Sequence, residues 1–215
     1  MPAKSKSNQS VQEQSHPDFT RIYLIRHGEV VGAGAKRYHG HHDVDLSPEG
    51  LSQMERLAKK LRSKPILAIY CSDLTRTMKG AEILARTRRL PVYSRRALRE
   101  KGFGRWEGLT YQEVALRFPE AWKAWLEDPA GSRPPGGETF LEVYRRVLAE
   151  LSLILKNHQG QEVVILAHGG VNRVILCHAL GLELKHVFRI EQKYAALNII
   201  DFFNNGVACV QLMNG

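Results

Sequence analysis

Two histidines and two arginines stand in short motifs at three widely separated places in this sequence. Arg26 and His27 begin an Arg-His-Gly-Glu run, Arg76 lies four residues beyond Ser72, and His168 is followed by two glycines. Guanidinium groups bind phosphate through paired hydrogen bonds and keep their charge at any working pH. A neutral imidazole nitrogen is a nucleophile, because the unperturbed pKa of histidine is about 6.5. Together these residue types suit phosphoryl transfer, with His27 or His168 as the nucleophile.

A carboxylate supplies the remaining group that this chemistry needs. Phosphoryl transfer requires charge neutralisation, an in-line nucleophile and a proton for the leaving oxygen. Glu100 is a lone carboxylate in a cationic loop, just ahead of Gly102 and Phe103. Nearby arginines favour its ionised form, whereas burial against Phe103 and Trp106 opposes that effect. Glu100 is therefore the candidate proton donor.

The glycines beside the histidines allow close approach to an anion. Backbone without a side chain turns sharply off a strand and comes close to a bound phosphate. A helix that begins after His168 would also offer its free N–H groups to the anion. The candidate phosphate-binding residues are therefore Arg26, Arg76, His168 and Gly169.

Hydrophobic patterning predicts the elements that position these groups. Apolar runs at residues 22–25, 66–70 and 162–167 predict buried strands, and a candidate motif follows each of them directly. Ligands in open α/β sheets bind at the carboxyl ends of the strands. We therefore expect the two histidines and two arginines at one edge of the sheet, a combination that core packing has no reason to prefer.

Helices are predicted to alternate with these strands. Ser47 caps and Pro48 begins a helix that Pro65 ends, and Ser72 with Asp73 caps a second helix. The other predicted elements are the second helix over 75–86, an extended piece at 91–93, helices at 111–116, 121–126, 141–155 and 171–180, and a hairpin of 197–203 with 207–212. This order predicts an α/β fold of three α/β/α layers around a mostly parallel open sheet, with a mainly helical insertion over about 107–137.

Composition predicts one folded domain with a polar arm. The chain has 215 residues, of which 43% are hydrophobic, enough for a single core over residues 19–215. Residues 1–18 have almost nothing to bury and predict a disordered N-terminal arm. The sequence contains no run of about 18 apolar residues and no basic-then-apolar signal at its start. We therefore expect a cytoplasmic protein without a membrane partner.

The cysteines and tryptophans are interpreted as packing residues. Cys71, Cys177 and Cys209 stand at wide spacings that fit neither a disulfide framework nor a zinc cluster, so buried, reduced thiols are expected. The tryptophans are expected to pack rather than to form substrate platforms. They are Trp106, Trp122 and Trp125.

The net charge of +9 suits an anionic partner. Seven basic residues between positions 86 and 101 face only Glu100: Arg86, Arg88, Arg89, Arg95, Arg96, Arg99 and Lys101. Phosphorylated small molecules and nucleic acid both carry the matching charge. Apart from Tyr93, no aromatic side chain interleaves this run, so a small phosphorylated substrate or a solvated surface is favoured and nucleic acid is not expected.

The motifs resemble the histidine phosphatase superfamily, which includes the cofactor-dependent phosphoglycerate mutases. The central match is Arg26-His27-Gly28-Glu29 after a strand. The resemblance covers about residues 21–180 in the family's order and extends through Gly40, Asp43, Leu46-Ser47-Pro48-Glu49-Gly50, Ser72-Asp73-Leu74 with Arg76, Glu100, Phe103-Gly104, Trp106-Glu107-Gly108, Gly136-Gly137-Glu138 and Ala167-His168-Gly169-Gly170.

This resemblance implies a phosphoglycerate mutase-like fold and a phosphohistidine intermediate. His27 would be the nucleophile, and the phosphate pocket would consist of Arg26, Arg76 and His168. Glu100 would protonate the leaving oxygen and then activate water. The stretch at 102–110 is most similar to the α-ribazole phosphatase-like and broad-specificity phosphatase branch, which favours hydrolysis, with α-ribazole 5'-phosphate as a candidate substrate. No metal or cofactor is implied.

The chain departs from the family pattern in two places. Mutases of the family usually carry an Asn shortly after the Arg-His-Gly-Glu motif, whereas residues 30–35 are Val, Gly and Ala, which weakens a mutase interpretation. The helix after Arg76 has Gly80-Ala81 where a Thr-Ala pair is common. A glycine inside a helix costs about 1 kcal/mol relative to alanine.

Three alternative functions stay open. Phosphotransfer of the phosphoglycerate mutase type would use the same residues. A metallohydrolase is suggested by His39, His41, His42 and Asp43, which are zinc-ligand types but follow no strand signal. A non-catalytic phosphate-binding module would keep the pocket and use the basic run at 86–101.

Overall fold

Six strands form one mixed sheet in the computed structural model, which describes residues 18–215. The predicted arm of residues 1–18 lies, except for Asp18, outside the described residues. The strands are β1 Phe19–Arg26, β2 Ile66–Cys71, β3 Val92–Ser94, β4 Glu162–Ala167, β5 Leu197–Phe203 and β6 Ala208–Leu212. Their order is β3-β2-β4-β1-β5-β6; the first four are parallel, and β5 and β6 run antiparallel to their neighbours.

Helices cover both faces of this sheet, so the predicted three-layer α/β/α fold is confirmed. They are α1 Pro48–Leu61, α2 Thr75–Ala85, α3 Tyr111–Arg117, α4 Pro119–Glu127, α5 Phe140–Asn157 and α6 Gly169–Ala179. Helices α1 and α2 pack on one face, and α5 and α6 pack on the other. Helices α3 and α4 lie within residues 107–137. Across residues 18–215, no helix combines the length and apolar character needed to cross a bilayer.

Each central strand contributes side chains to two apolar cores, because successive residues point to opposite faces. In β1, Tyr23 and Ile25 pack in the core under α1 and α2, whereas Ile22 and Leu24 pack in the core under α5 and α6. The apolar spacing of residues 141–155 suggests that Leu141 faces the core, but it is 47% exposed. Phe140 and Val143 fill the buried face of this first turn instead.

At Gly80, α2 approaches the sheet closely. A Cβ atom at this position would lie 2.9 Å from Cδ2 of Leu166 in β4 and 3.2 Å from Cε of Met54 in α1. Both distances are shorter than ordinary carbon contacts, so a larger residue would push the helix outward. The close seating of α2, which carries Arg76, accounts for a glycine that helix propensity disfavours.

The N-terminus of α2 is capped from a distant part of the chain. Neither Ser72 nor Asp73 caps it, so that prediction is wrong. Instead, the carboxylate of Asp43 accepts hydrogen bonds from the backbone N–H of Thr75 at 2.8 Å and from its hydroxyl at 2.6 Å. Sequence rules for caps examine only adjacent residues, which is why this partner was missed.

Replacing Asp43 with alanine is expected to lower the free energy of unfolding by about 1–2 kcal/mol, because two donors at the start of α2 lose their acceptor. Equilibrium unfolding in denaturant measures the change. Asp45→Ala is the matched control: it removes an exposed ion pair with Lys79 and is expected to change the same quantity by less than about 1 kcal/mol. Equal losses in both variants would contradict the capping role.

The cysteine and tryptophan predictions are confirmed only in part. Cys71 and Cys177 are buried thiols, but Cys209 is exposed on β6. An edge strand has one neighbour, and alternate side chains of β6 face solvent. Trp106 is fully buried as expected, whereas Trp122 and Trp125 also line a cavity.

The basic run at residues 86–101 does not form one uncompensated patch. Arg86, Arg95 and Arg99 each pair with an acidic residue from another part of the fold. Lys101 is fully buried. Much of the charge that the sequence concentrates in this run is therefore balanced within the protein.

Candidate functional site

Three motifs meet at the carboxyl edge of the parallel strands, as the sequence predicts. His27 directly follows β1, Arg76 lies in the first turn of α2 after β2, and His168 is the N-cap residue of α6 after β4. The ring centroids of His27 and His168 are 5.2 Å apart. Nε of Arg76 lies 3.3 Å from Nδ1 of His168. The three side chains are therefore neighbours, of which His27 and Arg76 line a cavity and His168 is fully buried beside them.

Arg76 is buried and held by neutral groups. The side chain is 1% exposed, and its terminal nitrogens donate to the carbonyl oxygens of Gly40 at 2.8 Å and His42 at 3.1 Å. Burial lowers the pKa of Arg76, and the nearby carboxylate of Glu100 opposes that change. Among residues 18–215, no carboxylate forms an ion pair with this guanidinium. Its positive charge therefore remains available to an anion.

Arg26 has a buried donor without a protein acceptor. Its Nη1 donates to the carbonyl oxygen of Gln192 at 2.6 Å, and its guanidinium carbon lies 4.1 Å from the ring centre of Tyr194. Nε is buried, yet within the described chain it has no hydrogen-bond partner. An unpaired buried donor costs about 1–3 kcal/mol, so it indicates an acceptor that arrives with a ligand.

The side chain of His27 carries its proton on Nδ1. This nitrogen lies 2.7 Å from the carbonyl oxygen of Gly28. Because a carbonyl only accepts hydrogen bonds, Nδ1 is the donor and Nε2 keeps a free lone pair. Burial lowers the pKa of His27 well below its ordinary value, and the charges of Arg76 and Arg26 lower it further. The ring is thus a neutral imidazole.

His168 takes the opposite tautomer. Its Nδ1 faces the N–H of Arg76, which only donates, so the proton lies on Nε2. Nε2 donates to Oγ of Ser72 at 2.7 Å, and Ser72 in turn bonds to the hydroxyl of Thr77 at 2.7 Å. Burial, followed by the charge of Arg76, lowers the pKa of His168. Ser72, which was predicted as a helix cap, orients this ring instead.

Imidazole nitrogen NMR tests both tautomers. At about pH 6, below the ordinary histidine pKa of about 6.5, both rings are expected to be neutral because both pKa values are lowered. The proton is expected on Nδ1 of His27 and on Nε2 of His168. A charged imidazolium at either position, or the reversed tautomers, would contradict the assignment.

The carboxylate of Glu100 faces the start of α6. Both of its oxygens lie 3.1 Å from the backbone nitrogen of Gly170, and Oε1 accepts from the N–H of Lys101 at 2.8 Å. A Cβ atom at position 170 would lie 2.4 Å from Oε1, so this approach requires glycine. Glu100 lines the same cavity as Arg26 and His27.

Arg146 and Glu138 brace the loop that carries Glu100. Arg146 donates to three carbonyl groups of that loop, including that of Glu100 at 2.9 Å. Its Nε also pairs with Glu138 at 2.9 Å, and the other oxygen of Glu138 accepts from the N–H of Gly102 at 2.7 Å. These bonds fix the backbone from which the Glu100 side chain extends. Sequence reasoning did not identify Arg146.

Two of the predicted motifs interlock around His27. A Cβ atom on Gly28 would lie 2.4 Å from the carbonyl oxygen of Gly50, so the two backbones touch. The hydroxyl of Ser47 donates to Oε1 of Glu29 at 2.8 Å and accepts from the N–H of Gly50 at 3.0 Å. The cap of α1 thus also holds the turn that presents His27.

The histidine cluster of the metallohydrolase alternative is dispersed. Over residues 18–215, no group of three or more His, Cys, Asp or Glu side chains is arranged to hold a metal ion. Nε2 of His41 lies 2.9 Å from the carbonyl oxygen of Glu100, and Asp43 caps α2. His39 lines the cavity, where burial lowers its pKa to about 4.

Arg173 is a site residue that the sequence analysis missed. It lies on α6, and its Nε donates to the carbonyl oxygen of Ile190 at 2.7 Å. A Cβ atom on Gly169 would lie 3.0 Å from Nη1 of Arg173 and 3.5 Å from Nε of Arg26, so both guanidinium groups border Gly169. Burial lowers the pKa of Arg173, and Glu100 opposes that change. In the sequence, Arg173 resembles any polar residue of an amphipathic helix.

A single cavity of about 970 Å³ connects these groups to a set of aromatic rings. We call the part lined by Arg26, His27, Arg76 and Glu100 the basic pocket. The part that we call the aromatic chamber is lined by Tyr38, Phe103, Tyr111, Trp122, Trp125 and Phe188.

Known proteins resemble this chain in sequence and in fold. The family model of the histidine phosphatase superfamily (branch 1) matches residues 22–215. A bifunctional protein of Mycobacterium tuberculosis is 35% identical over 196 residues, which are 91% of this chain but 54% of that protein, so the chain spans about half its length. Phosphoserine phosphatase 1 of Hydrogenobacter thermophilus is 32% identical over 182 residues, 85% of this chain and 86% of that protein. The crystal structure of the α-ribazole phosphatase from Shigella flexneri superposes with a TM-score of 0.85 at 26% identity, covering 91% of this chain and 96% of that chain.

Proposed function

Because the chain belongs to the histidine phosphatase superfamily, we propose that it hydrolyses phosphomonoesters through a covalent phosphohistidine on His27. One observation carries this proposal. A neutral imidazole with a free Nε2 lone pair stands beside guanidinium groups, one of which has a buried, unpaired donor among the described residues. Such a pocket is built for an anion that a nucleophile can attack.

The phosphate dianion is held by arginines and one histidine. Nε of Arg26 gains the acceptor that it lacks, Arg173 supplies further charge next to Gly169, and Arg76 supplies charge beside His168. Binding of a dianion favours protonation of His168, because an opposite charge stabilises the charged ring. Protonated Nδ1 no longer accepts from Nε of Arg76 and donates to a phosphate oxygen instead, while Ser72 keeps the orientation of the ring.

Two displacements at phosphorus complete the reaction. In the first, Nε2 of His27 forms a bond to phosphorus while the bond to the leaving oxygen breaks, and protonated Glu100 gives its proton to that oxygen. In the second, the Glu100 carboxylate removes a proton from water, the water oxygen bonds to phosphorus and the P–N bond breaks. Inorganic phosphate leaves, and both residues return to their starting protonation states.

Hydrolysis is favoured over mutase transfer for two reasons. The relatives described above are named phosphoserine phosphatase and α-ribazole phosphatase, and residues 30–35 lack the Asn of the mutases. The substrate is proposed to be a small phosphorylated metabolite, with α-ribazole phosphate as a candidate.

A panel of phosphomonoesters tests the proposal. Purified protein is expected to release inorganic phosphate from α-ribazole phosphate, phosphoserine and glycerol phosphate, with rates unchanged after exhaustive chelation. Interconversion of phosphoglycerates in the presence of bisphosphoglycerate, without release of phosphate, would establish the mutase instead. Loss of activity on chelation would restore the metallohydrolase alternative.

A further inference from the structure

The aromatic chamber lies beyond the atoms that the proposed chemistry uses. The ring centroid of Tyr38 is 4.7 Å from that of Tyr111 and 6.3 Å from that of Trp125. On the other side, the centroid of Phe188 is 5.9 Å from that of Trp125. Trp125 therefore contacts Tyr38 on one side and Phe188 on the other, and these rings form a continuous aromatic wall of the cavity.

Two rings of the chamber expose aromatic surface to the cavity. Tyr111 is 45% exposed and Phe188 is 50% exposed, whereas Tyr38 and Trp125 are 8% and 7% exposed. Apolar surface gains about 25 cal/mol for each Å² removed from water. Rings that stay uncovered at the mouth of a cavity therefore mark a surface that a ligand would cover.

The side chain of Lys101 packs against rings of the chamber. It is fully buried, and its ammonium lies 4.9 Å from the ring centre of Trp125 and 5.1 Å from that of Phe103. A cation attracts the faces of aromatic rings, so the ammonium fixes the orientation of these side chains. Because Lys101 directly follows Glu100, the lysine that contacts these rings and the proposed acid belong to one backbone segment.

The cavity is much larger than a phosphate with a short polar chain. Its volume of about 970 Å³ is at the upper end of the range of roughly 300–1,000 Å³ that holds drug-sized ligands. A three-carbon leaving group would occupy the space beside Glu100 and leave the rings of Tyr111 and Phe188 in contact with water. A larger, flat leaving group would cover them.

Resting on the proposed function, we infer that the preferred substrate carries a planar aromatic ring in its leaving group, joined to the phosphoester oxygen by a short linker, and that this ring stacks in the aromatic chamber. Aromatic pairs prefer offset or edge-to-face contacts with centroids about 4.5–7 Å apart, and they stabilise beyond the area that they bury. The exposed rings of Tyr111 and Phe188, which line the cavity, are open to both kinds of contact.

Matched esters of primary alcohols separate the effect of the ring from that of the chemistry. Benzyl, cyclohexylmethyl and glycerol phosphates all release alkoxide-type leaving groups, but only the first has an aromatic ring. We expect kcat/KM for benzyl phosphate to exceed that for cyclohexylmethyl phosphate by about threefold to tenfold. Naphthylmethyl phosphate is expected to be a better substrate than benzyl phosphate.

A variant in the chamber connects this preference to the proposed rings. In Phe188→Leu, the ratio of kcat/KM for benzyl phosphate to that for glycerol phosphate is expected to fall by about tenfold. The matched control is Phe203→Leu. It removes a ring whose centroid lies 5.4 Å from that of Phe19, where β1 begins, at the edge of the sheet opposite the site. This control is expected to leave the ratio unchanged.

The outcomes distinguish this inference from the function on which it rests. Equal kcat/KM values for benzyl and cyclohexylmethyl phosphates, or an unchanged ratio in Phe188→Leu, would overturn the aromatic-substrate inference. Hydrolysis of glycerol phosphate in the same experiment would show that the phosphatase proposal stands without it. If none of the esters were hydrolysed, both proposals would be wrong.

Discussion

Replacing His27 with alanine is expected to lower kcat by roughly four orders of magnitude or more, because alanine has no atom that can bond to phosphorus. In the native protein, the Nδ1 proton of His27 is directed to the carbonyl oxygen of Gly28, which leaves Nε2 as the attacking atom. Arg26 and Arg76 would still bind the phosphate, so KM is expected to change much less than kcat. Release of inorganic phosphate at saturating substrate measures the loss.

Covalent labelling distinguishes a nucleophile from a binding residue. Rapid quenching with radiolabelled substrate is expected to give acid-labile label on the native protein and none on His27→Ala. The matched control is His178→Ala, which removes an exposed histidine of α6 whose ring, within residues 18–215, bonds only to the hydroxyl of Tyr144 at 3.2 Å. It is expected to keep both turnover and label. Turnover in His27→Ala, or label transferred to His168, would contradict the assignment of the nucleophile.

Replacing Glu100 with glutamine is expected to lower kcat/KM for alkyl phosphates by about 10²–10⁴-fold, the usual contribution of a positioned acid. Glutamine keeps an oxygen that accepts from Gly170, so the geometry of the loop is retained. The loss is expected to be much smaller for p-nitrophenyl phosphate, because nitrophenolate leaves without a proton. Rates over a series of leaving groups of increasing basicity measure this dependence.

The second role of Glu100 gives a separate signature. If its carboxylate activates water, hydrolysis of the phosphohistidine in Glu100→Gln becomes slow even when the leaving group is good. Rapid mixing with p-nitrophenyl phosphate is then expected to show a burst of nitrophenolate and accumulated phosphoenzyme. Glu120→Gln, on the exposed side of α4, is the matched control and is expected to behave as the native protein. A uniform loss over all leaving groups without a burst would exclude Glu100 as the acid.

The sequence was sufficient to predict how the motifs assemble. Short apolar strands alternate with helices, and the carboxyl ends of parallel strands lie at one edge, so His27, Arg76 and His168 had to be neighbours. Their protonation was not predictable in the same way. The tautomer of His27 depends on the carbonyl of Gly28, and the unpaired donor of Arg26 depends on how distant residues surround it.

The residues that sequence reasoning missed share a physical cause. Arg146 and Arg173 lie on α5 and α6, where a polar residue in a periodic pattern is expected to face water. They instead reach back to carbonyl groups of loops, because their long side chains extend beyond the helix surface. The cap that Asp43 provides for α2 spans 32 residues of sequence, and no local pattern encodes it. Such partners appear only when the elements are packed.

The hydrogen bonds from Arg76 to the carbonyl oxygens of Gly40 and His42 restrict the motion of one side of the site. These bonds and the cap that Asp43 provides hold the segment at 36–46 against α2. This segment is therefore not expected to open and close as a lid. In the proposed reaction, the water that attacks the phosphohistidine needs the place beside Glu100 that the alcohol first occupies. The alcohol is therefore expected to leave first and inorganic phosphate last.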